Sequence, residues 1–171
     1  MNPLLDFCDL PKFGDIRPAH VAPAVEKLLA DAREAVAQAL LPEVPADWAV
    51  FIAPLEDANE RLGRAWSQVS HLHAVLDSPE LREAYNAGLP KVTQYWTELG
   101  QNQALFEKYR ALRAAAGFAA LTPARQRIVE NALRDFRLGG AELPETGKRR
   151  FAEIQEEIAS LSARFSENVL D

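Results

Sequence analysis

The chain has 171 residues, of which 48% are hydrophobic and 26% are charged, a composition that excludes disorder for most of its length and fits one domain over residues 1–171. The formal net charge of −6 argues against a dedicated binder of nucleic acid or of anionic membranes. Cys8 is the single cysteine, which excludes an intramolecular disulfide and a cysteine-based zinc cluster and fits a reducing compartment.

The N-terminal sequence has no positively charged leader followed by an apolar core, and no apolar run approaches the ~18 residues that a membrane span needs. We therefore expect a cytoplasmic protein with no membrane partner. Residues 1–16 contain Pro3, Pro11 and Gly14 but also several large apolar side chains. This mixture predicts an ordered arm packed on the helices of residues 17–171. The apolar side chains of the arm are Leu4, Leu5, Phe7, Leu10, Phe13 and Ile16.

Apolar residues at steps of three and four, together with capping residues, predict about six helices. The predicted helices run from Arg17-Pro18 to near Leu41, from about Pro54 to Asp77, from Ser78-Pro79 to Gly100, from Asn102 to about Ala116, from Thr122-Pro123 to Gly139-Gly140, and from Pro144-Glu145 to the end. No segment alternates in the manner of a strand. The fold class is therefore predicted to be all-α, a bundle-like domain in which several long helices are antiparallel because their links are short.

The last predicted helix carries a heptad-like apolar stripe that persists to the end of the sequence. An apolar ridge of this kind usually continues into more protein or packs against it. The same stripe predicts that Ile158→Asp damages this helix far more than Glu157→Ala does. Its members are Phe151, Ile154, Ile158, Leu161 and Phe165.

Two histidines, His71 and His73, form the most obvious candidate for a metal site. Residues two apart on a helix point about 200° from each other, whereas zinc-binding helices use i, i+4 spacing. We therefore expect structural roles, with His71 helping to hold the fold through a polar contact and His73 on another face. No residue of the sequence is predicted to be catalytic, to bind a cofactor or to bind a metal.

Charged residues offer two weaker candidates. The acid pairs Glu56-Asp57 and Glu156-Glu157 are typical of exposed helix faces, and a catalytic pair would need burial. The segment from Arg125 to Arg150 is locally basic but contains Glu130, Asp135, Glu142 and Glu145 as well, which indicates ion-paired helix surfaces more than a phosphate-binding patch.

Several separated strings of the sequence resemble the N-terminal region of the thimet-oligopeptidase-like, M3 family of zinc metallopeptidases. They occur in the family's order over nearly the whole chain. The strings are Asn2–Leu5, Ile16–Val21, Val69–Leu72, Ser78–Tyr85, Leu89-Pro90, Val129–Phe136 and Asn168–Asp171.

This resemblance implies a larger, mostly helical cytoplasmic enzyme that cleaves short peptides, including fragments of signal peptides. In that family one zinc ion is bound by a His-Glu-x-x-His helix and a downstream glutamate, and the motif's glutamate activates water. These elements lie beyond the positions that the present chain covers, so the resemblance carries no zinc ligand onto any residue here. It implies a non-catalytic segment that walls part of the substrate channel and packs on the catalytic half.

Two other interpretations are open at this point. A helical chain without an active site could be a free-standing adaptor that binds a partner protein through exposed apolar ridges. The basic segment from Arg125 to Arg150 could bind nucleic acid, in which case retention on a polyanion column would depend strongly on salt.

Overall fold

The computed structural model describes residues 2–76 and 78–170, and helices dominate them. No described residue belongs to a strand, so the all-α prediction is confirmed. The six α-helices are α1 (Pro18–Ala39), α2 (Ala53–Val75), α3 (Pro79–Gly100), α4 (Gln103–Ala114), α5 (Pro123–Gly139) and α6 (Glu145–Leu170). None of the helices in the described part combines the length and the hydropathy that a membrane span requires.

Short helical turns fill the segments between these helices. They are 3₁₀ turns at Pro3–Leu5, Phe13–Asp15 and Ala116–Ala120, and a π-helical turn at Trp48–Ile52 that runs directly into α2. The predicted second helix therefore has its start within one residue of the observed one, while its predicted last residue, Asp77, lies outside the described residues.

Side-chain caps set the starts of three helices where the sequence predicts them. The Ser78 hydroxyl accepts a hydrogen bond from the Leu81 amide at 3.2 Å, and the Asn102 side chain accepts one from Leu105 at 3.0 Å. Thr122 caps α5 in the same way. Each cap satisfies an amide that would otherwise lack an intrahelical acceptor. The end of α5 is set by Gly140, whose φ of +92° lies in the left-handed region that glycine adopts without strain.

A first apolar core lies between α1, α2 and α3, with the N-terminal arm packed on it. Leu4 and Ile16 of the arm are buried in this core, and the Asn2 side-chain amide donates to the carbonyl of His20 at 2.8 Å. Arg64 of α2 donates to two arm carbonyls, those of Phe7 and Asp9. The arm is therefore fastened by both apolar burial and backbone-directed hydrogen bonds. The central core residues are Val21, Val25, Leu28, Leu62, Val69, Val92 and Tyr95.

A second apolar core is formed by the π-helical turn, the start of α2, and helices α4 and α5. Phe51 and Tyr109 meet edge to face at a ring distance of 5.0 Å, which is a favourable geometry for aromatic pairs. Leu99 packs against both cores and links them. The buried members include Ile52, Leu55, Leu105, Phe106, Leu112, Val129 and Phe136.

Helix α6 packs along α3 in the opposite direction. The Gln101 side chain at the end of α3 donates to the carbonyl of Lys148 near the start of α6, at 3.0 Å. At the other end of the pair, the Asn86 amide donates to Glu167 at 2.7 Å. The side of α6 that faces α3 is less exposed than the rest of the helix and contains small or polar residues. They are Gln155, Ala159, Ala163 and Glu167, following Phe151.

The apolar stripe of α6 does not lie in either core. Ile154 is 38% exposed, Ile158 is 52% exposed and Phe165 is 70% exposed. The exposure of Ile158 does not support the prediction that Ile158→Asp damages this helix far more than Glu157→Ala does, because the half-exposed side chain makes little contact within the chain. The helix is amphipathic as the sequence indicates, but its large apolar side chains are exposed and its smaller ones face α3.

Buried tyrosines make the fold sensitive to alkaline pH. The Tyr95 hydroxyl donates to the Asn59 side chain at 2.5 Å, and the Tyr109 hydroxyl donates to Glu56 at 3.1 Å. Burial raises the pKa of Tyr95 to about 12, and burial with the Glu56 charge also raises the pKa of Tyr109.

A tyrosine whose pKa is raised by folding stabilises the folded state below its unfolded pKa of about 10, and this stabilisation is lost as pH rises from about 10 to about 12. Between pH 10 and pH 12, the unfolding free energy of the parent should therefore fall by up to about 2–3 kcal/mol more than that of Tyr95→Phe. Urea unfolding of parent and variant at pH 7 and through the alkaline range measures this difference. Parallel alkaline curves for the two proteins would contradict it.

Candidate functional site

The two histidines of α2 lie in different environments. His71 is exposed, and its ring is tilted against Phe13 of the arm at a centroid distance of 5.3 Å. His73 is buried, stacked on Tyr85 at 4.1 Å. The prediction that the two rings occupy different faces is confirmed, but the assignment of the fold-holding role to His71 is wrong. His73 is the buried histidine instead, because its side of α2 faces Tyr85 of α3.

His73 belongs to an aromatic stack between α2 and α3, and the end of α6 lies beside this stack. Trp66 and Tyr85 are parallel to within 11° at 5.0 Å, and Tyr85 is parallel to His73 to within 8°. Glu167 of α6 lies 3.9 Å from the His73 Nε2 atom and also accepts the hydrogen bond from Asn86. Burial raises the pKa of the Tyr85 hydroxyl. The stack therefore provides an anchor for the end of α6.

The locally basic segment contains ion pairs whose side chains are mostly exposed, with the exception of Lys148, whose side chain is only 13% exposed. Pairs of this kind contribute little to stability, and they reduce the local excess of positive charge. Arg125 stacks over the ring of Trp48 at 4.9 Å. This arrangement fits the interpretation of ion-paired helix surfaces. The pairs are Arg127–Glu130, Arg134–Asp135, Arg137–Glu142, Lys148–Glu145 and Arg150–Glu153.

Glu167 lies beside His73, but no third ligand-type side chain joins this pair in the described part of the chain. There, no three histidine, cysteine, aspartate or glutamate side chains lie together in a group that could hold a metal ion. Glu56 is exposed and accepts the hydrogen bond from Tyr109, whereas Glu156 and Glu157 both lie on exposed parts of α6. Cys8 is exposed on the arm.

The strongest candidate for a functional surface is the exposed stripe of α6, which we call the α6 apolar face. It comprises Ile154, Ile158, Leu161, Phe165 and Val169. Five large apolar side chains in one row exceed the scattered exposed residues that are normal on a protein surface, and such rows mark interaction sites.

A cavity of about 370 Å³ adjoins the α6 apolar face where α6 meets α3 and α5. Its lining includes Ile158 and Phe151 of α6, Trp96 of α3 and Gly139 of α5. Trp96 is 37% exposed, which is unusual for the largest side chain, and it also lines a second cavity toward Leu55 and Tyr109. Ile158 of the apolar face and Trp96 thus line the same cavity.

Comparison with known proteins assigns this chain to a protein family. The family model described as "Neurolysin/Thimet oligopeptidase, N-terminal domain" matches residues 25–149. The chain belongs to the neurolysin/thimet oligopeptidase family. The resemblance to the N-terminal region of M3 oligopeptidases is thereby confirmed.

Relatives of this M3 segment are much longer than the segment itself. Oligopeptidase A of Haemophilus influenzae is 46% identical over 170 residues, which cover 99% of this chain and 25% of the relative. Oligopeptidase A of Escherichia coli is 44% identical with the same coverage of both proteins. The probable cytosolic oligopeptidase A of Arabidopsis thaliana is 36% identical over 99% of this chain and 24% of its own length. The M3 segment therefore spans about a quarter of these curated relatives.

The zinc ion that the M3 family implies does not fit the residues described here. A zinc site needs three or four nitrogen, sulfur or carboxylate ligands at about 2.0–2.3 Å from one point. His71 and His73 point apart, and beside His73 the described residues add Glu167 without the further ligands that a zinc site needs. We therefore derive no catalytic step from this segment.

Sequence reasoning missed the features that make the α6 apolar face a site. One of them is Trp96 of α3, whose partial exposure the sequence pattern does not distinguish from the burial of its neighbour Tyr95. The stack of Trp66, Tyr85 and His73 joins residues from two helices, and no spacing within one helix reveals it.

Proposed function

We propose that this chain is the N-terminal, non-catalytic segment of a zinc-dependent oligopeptidase that hydrolyses short peptides in the cytoplasm, fragments of signal peptides among them. The supporting comparison is the 44–46% identity to bacterial oligopeptidase A over a quarter of those proteins. Catalytic residues and zinc ligands belong to the other three quarters, and no residue of this segment acts as either.

The observation that carries the proposal is the α6 apolar face. Exposing Ile158, Leu161 and Phe165 to water is unfavourable, and burial of each such side chain contributes roughly 1.5–3 kcal/mol. The catalytic part of the same polypeptide covers this face, with Trp96 and the adjoining cavity at the edge of the contact. The face therefore joins the helical segment to the part that performs the reaction.

The remaining surface of the segment forms part of the wall of the substrate channel. Two apolar cores make the wall rigid, since Leu99 links them and α6 is fastened to α3 at both ends. A rigid helical wall excludes folded proteins and admits flexible peptides. Short peptides and the catalytic part are thus the partners, and nucleic acid and membranes are not.

The test joins this segment to the remainder of E. coli oligopeptidase A in place of the relative's own N-terminal quarter. We expect the chimaera to cleave a quenched fluorescent peptide in a chelator-sensitive manner and the 171-residue chain alone to show no cleavage with zinc. Chelator-sensitive turnover by the chain alone would contradict the proposal.

The docking surface is tested by paired substitutions of similar exposure. Ile158 is 52% exposed and Val50 is 50% exposed. In the chimaera we expect Ile158→Asp to reduce activity at least about tenfold, because one charge in an apolar contact costs more than 1.4 kcal/mol, and Val50→Asp to leave activity close to the parent. Equal effects would show that the α6 apolar face is not the contact. A chain that never binds the catalytic remainder would instead favour the free-standing adaptor.

A further inference from the structure

The α6 apolar face has the spacing of a coiled-coil seam. Phe151, Ile158 and Phe165 recur every seven residues, and Ile154 and Leu161 fall three residues after the first two of them. Residues at these a and d positions pack against a second helix that carries the same repeat. The partner that fits this face is therefore a helix. That helix must carry apolar residues with the same heptad spacing.

We propose that a second copy of this chain occupies the face, with the two α6 helices antiparallel about a two-fold axis between Ile158 and Leu161. In that register Ile158 packs on the second copy's Leu161, and Ile154 packs on its Phe165. The two-fold axis forms each of these two contacts twice, so the dimer contains four apolar layers. The inner layers pair side chains of equal size, and the outer layers pair the larger Phe165 with Ile154, so no layer joins two phenylalanines.

Charges beside the seam support the antiparallel register. Glu157 and Arg164 are exposed and occupy equivalent positions seven residues apart, on the side of the seam away from Gln155. In an antiparallel pair, Glu157 of one copy meets Arg164 of the second copy, and symmetry forms this ion pair twice. A parallel pair would place Glu157 opposite Ser162 and would form neither ion pair. The charges of two copies are thus complementary only when the two α6 helices are antiparallel.

The neighbouring surface leaves room for such a partner. Exposure rises from 38% at Ile154 to 70% at Phe165, so the row is open over the four residues that form the layers. On the other flank, Gln155 lies toward α3 and lines the cavity beside Trp96. A helix seated on the seam covers the mouth of this cavity without displacing α3.

The seam is short, and this sets the strength of the dimer. The four layers run from Ile154 to Phe165, about 17 Å, so the dissociation constant is expected on the order of 10 µM. In the longer protein of the proposed function, the catalytic part would cover the same face. Self-pairing and that contact then exclude each other, but the dimer itself does not depend on the proposed function.

Sedimentation velocity of the 171-residue chain, from about tenfold below to tenfold above this dissociation constant, tests the inference. We expect a concentration-dependent monomer–dimer equilibrium. Glu157→Arg or Arg164→Glu alone should weaken it about tenfold, since each creates two like-charge contacts. Glu60→Arg, an exposed reversal on α2, is the matched control and should leave the equilibrium unchanged.

Mixing the two reversed variants gives the decisive result. A Glu157→Arg copy presents two arginines and an Arg164→Glu copy presents two glutamates, so the mixture should form heterodimers at parental strength or better. Leu161→Asp should abolish association while circular dichroism stays helical. A chain that remains monomeric throughout, leaving the face to the catalytic part alone, would overturn the inference. So would a dimer that is indifferent to charge reversal, or a mixture no stronger than its components.

Discussion

Truncating Leu62 to alanine is expected to cost about 2–5 kcal/mol of unfolding free energy, whereas the same truncation of Ile158 is expected to cost less than about 1 kcal/mol. Leu62 is fully buried in the first core, between α1 and α3, and its removal leaves a cavity that the surrounding helices fill only in part. Ile158 is half exposed, so most of its surface is already in water.

Urea unfolding monitored by circular dichroism measures both losses, at a protein concentration low enough for the chain to be monomeric. Leu105→Ala provides an independent test of the second core, where we expect a loss of similar size to Leu62→Ala because Leu105 is equally buried. A loss at Ile158 that equals the loss at Leu62 would mean that the α6 apolar face packs within the chain. In that event both the docking proposal and the self-pairing inference would fail.

The elements that depend on local chemistry were predictable from sequence. Ser78, Asn102 and Thr122 start helices because a side-chain oxygen at the N-cap accepts from an amide two or three residues later, which is a property of a few adjacent residues. The glycine pair at the end of α5 was predictable for the same reason, since only Gly140 takes a positive φ there without strain. Helix type and helix bounds follow from such signals.

The burial of α6 was not predictable in this way. Periodicity shows that one face of a helix is apolar, but it does not say which face meets a neighbour in the same chain. Here α3 receives the side that carries Ala159 and Ala163, and Gln101 and Asn86 hold the two ends by hydrogen bonds. The large apolar residues remain outside. The outcome depends on side chains on α3 and at its end that lie 47 and 81 residues away in sequence, and a spacing rule has no access to them.

The environments of His71 and His73 show the same limit on a smaller scale. Their angular separation on the helix was predictable, and it is what rules out a shared metal ion. Which ring would be buried depended on Tyr85 and Trp66, which stack across the helix interface. Glu167 arrives at that stack from more than ninety residues further along the chain.

A methyl group at Gly139 is expected to destabilise the chain by about 1–3 kcal/mol, while one at Gly63 stabilises it by about 0.5–1 kcal/mol. A Cβ at Gly139 would lie 3.0 Å from the carbonyl oxygen of Gly100 and 3.1 Å from its Cα. Backbone atoms cannot rotate away, so α3 and α5 must separate. At Gly63, in the middle of α2, nothing lies within 4 Å of the added atom, and alanine favours the helix.

The contact is asymmetric, and this sharpens the test. A Cβ at Gly100 meets only the Gly139 Cα, at 3.6 Å, which is an ordinary van der Waals distance. In thermal melts, the melting temperature of Gly63→Ala should therefore lie above that of the parent, that of Gly100→Ala near it and that of Gly139→Ala well below it. If both glycines of the pair respond alike, the helices do not approach as described. Gly139 also lines the cavity beside Trp96 and Ile158. Separating α5 from α3 there would widen this cavity, which adjoins the α6 apolar face. Gly139→Ala should consequently lower the activity of the chimaera with the E. coli remainder more than Gly100→Ala does.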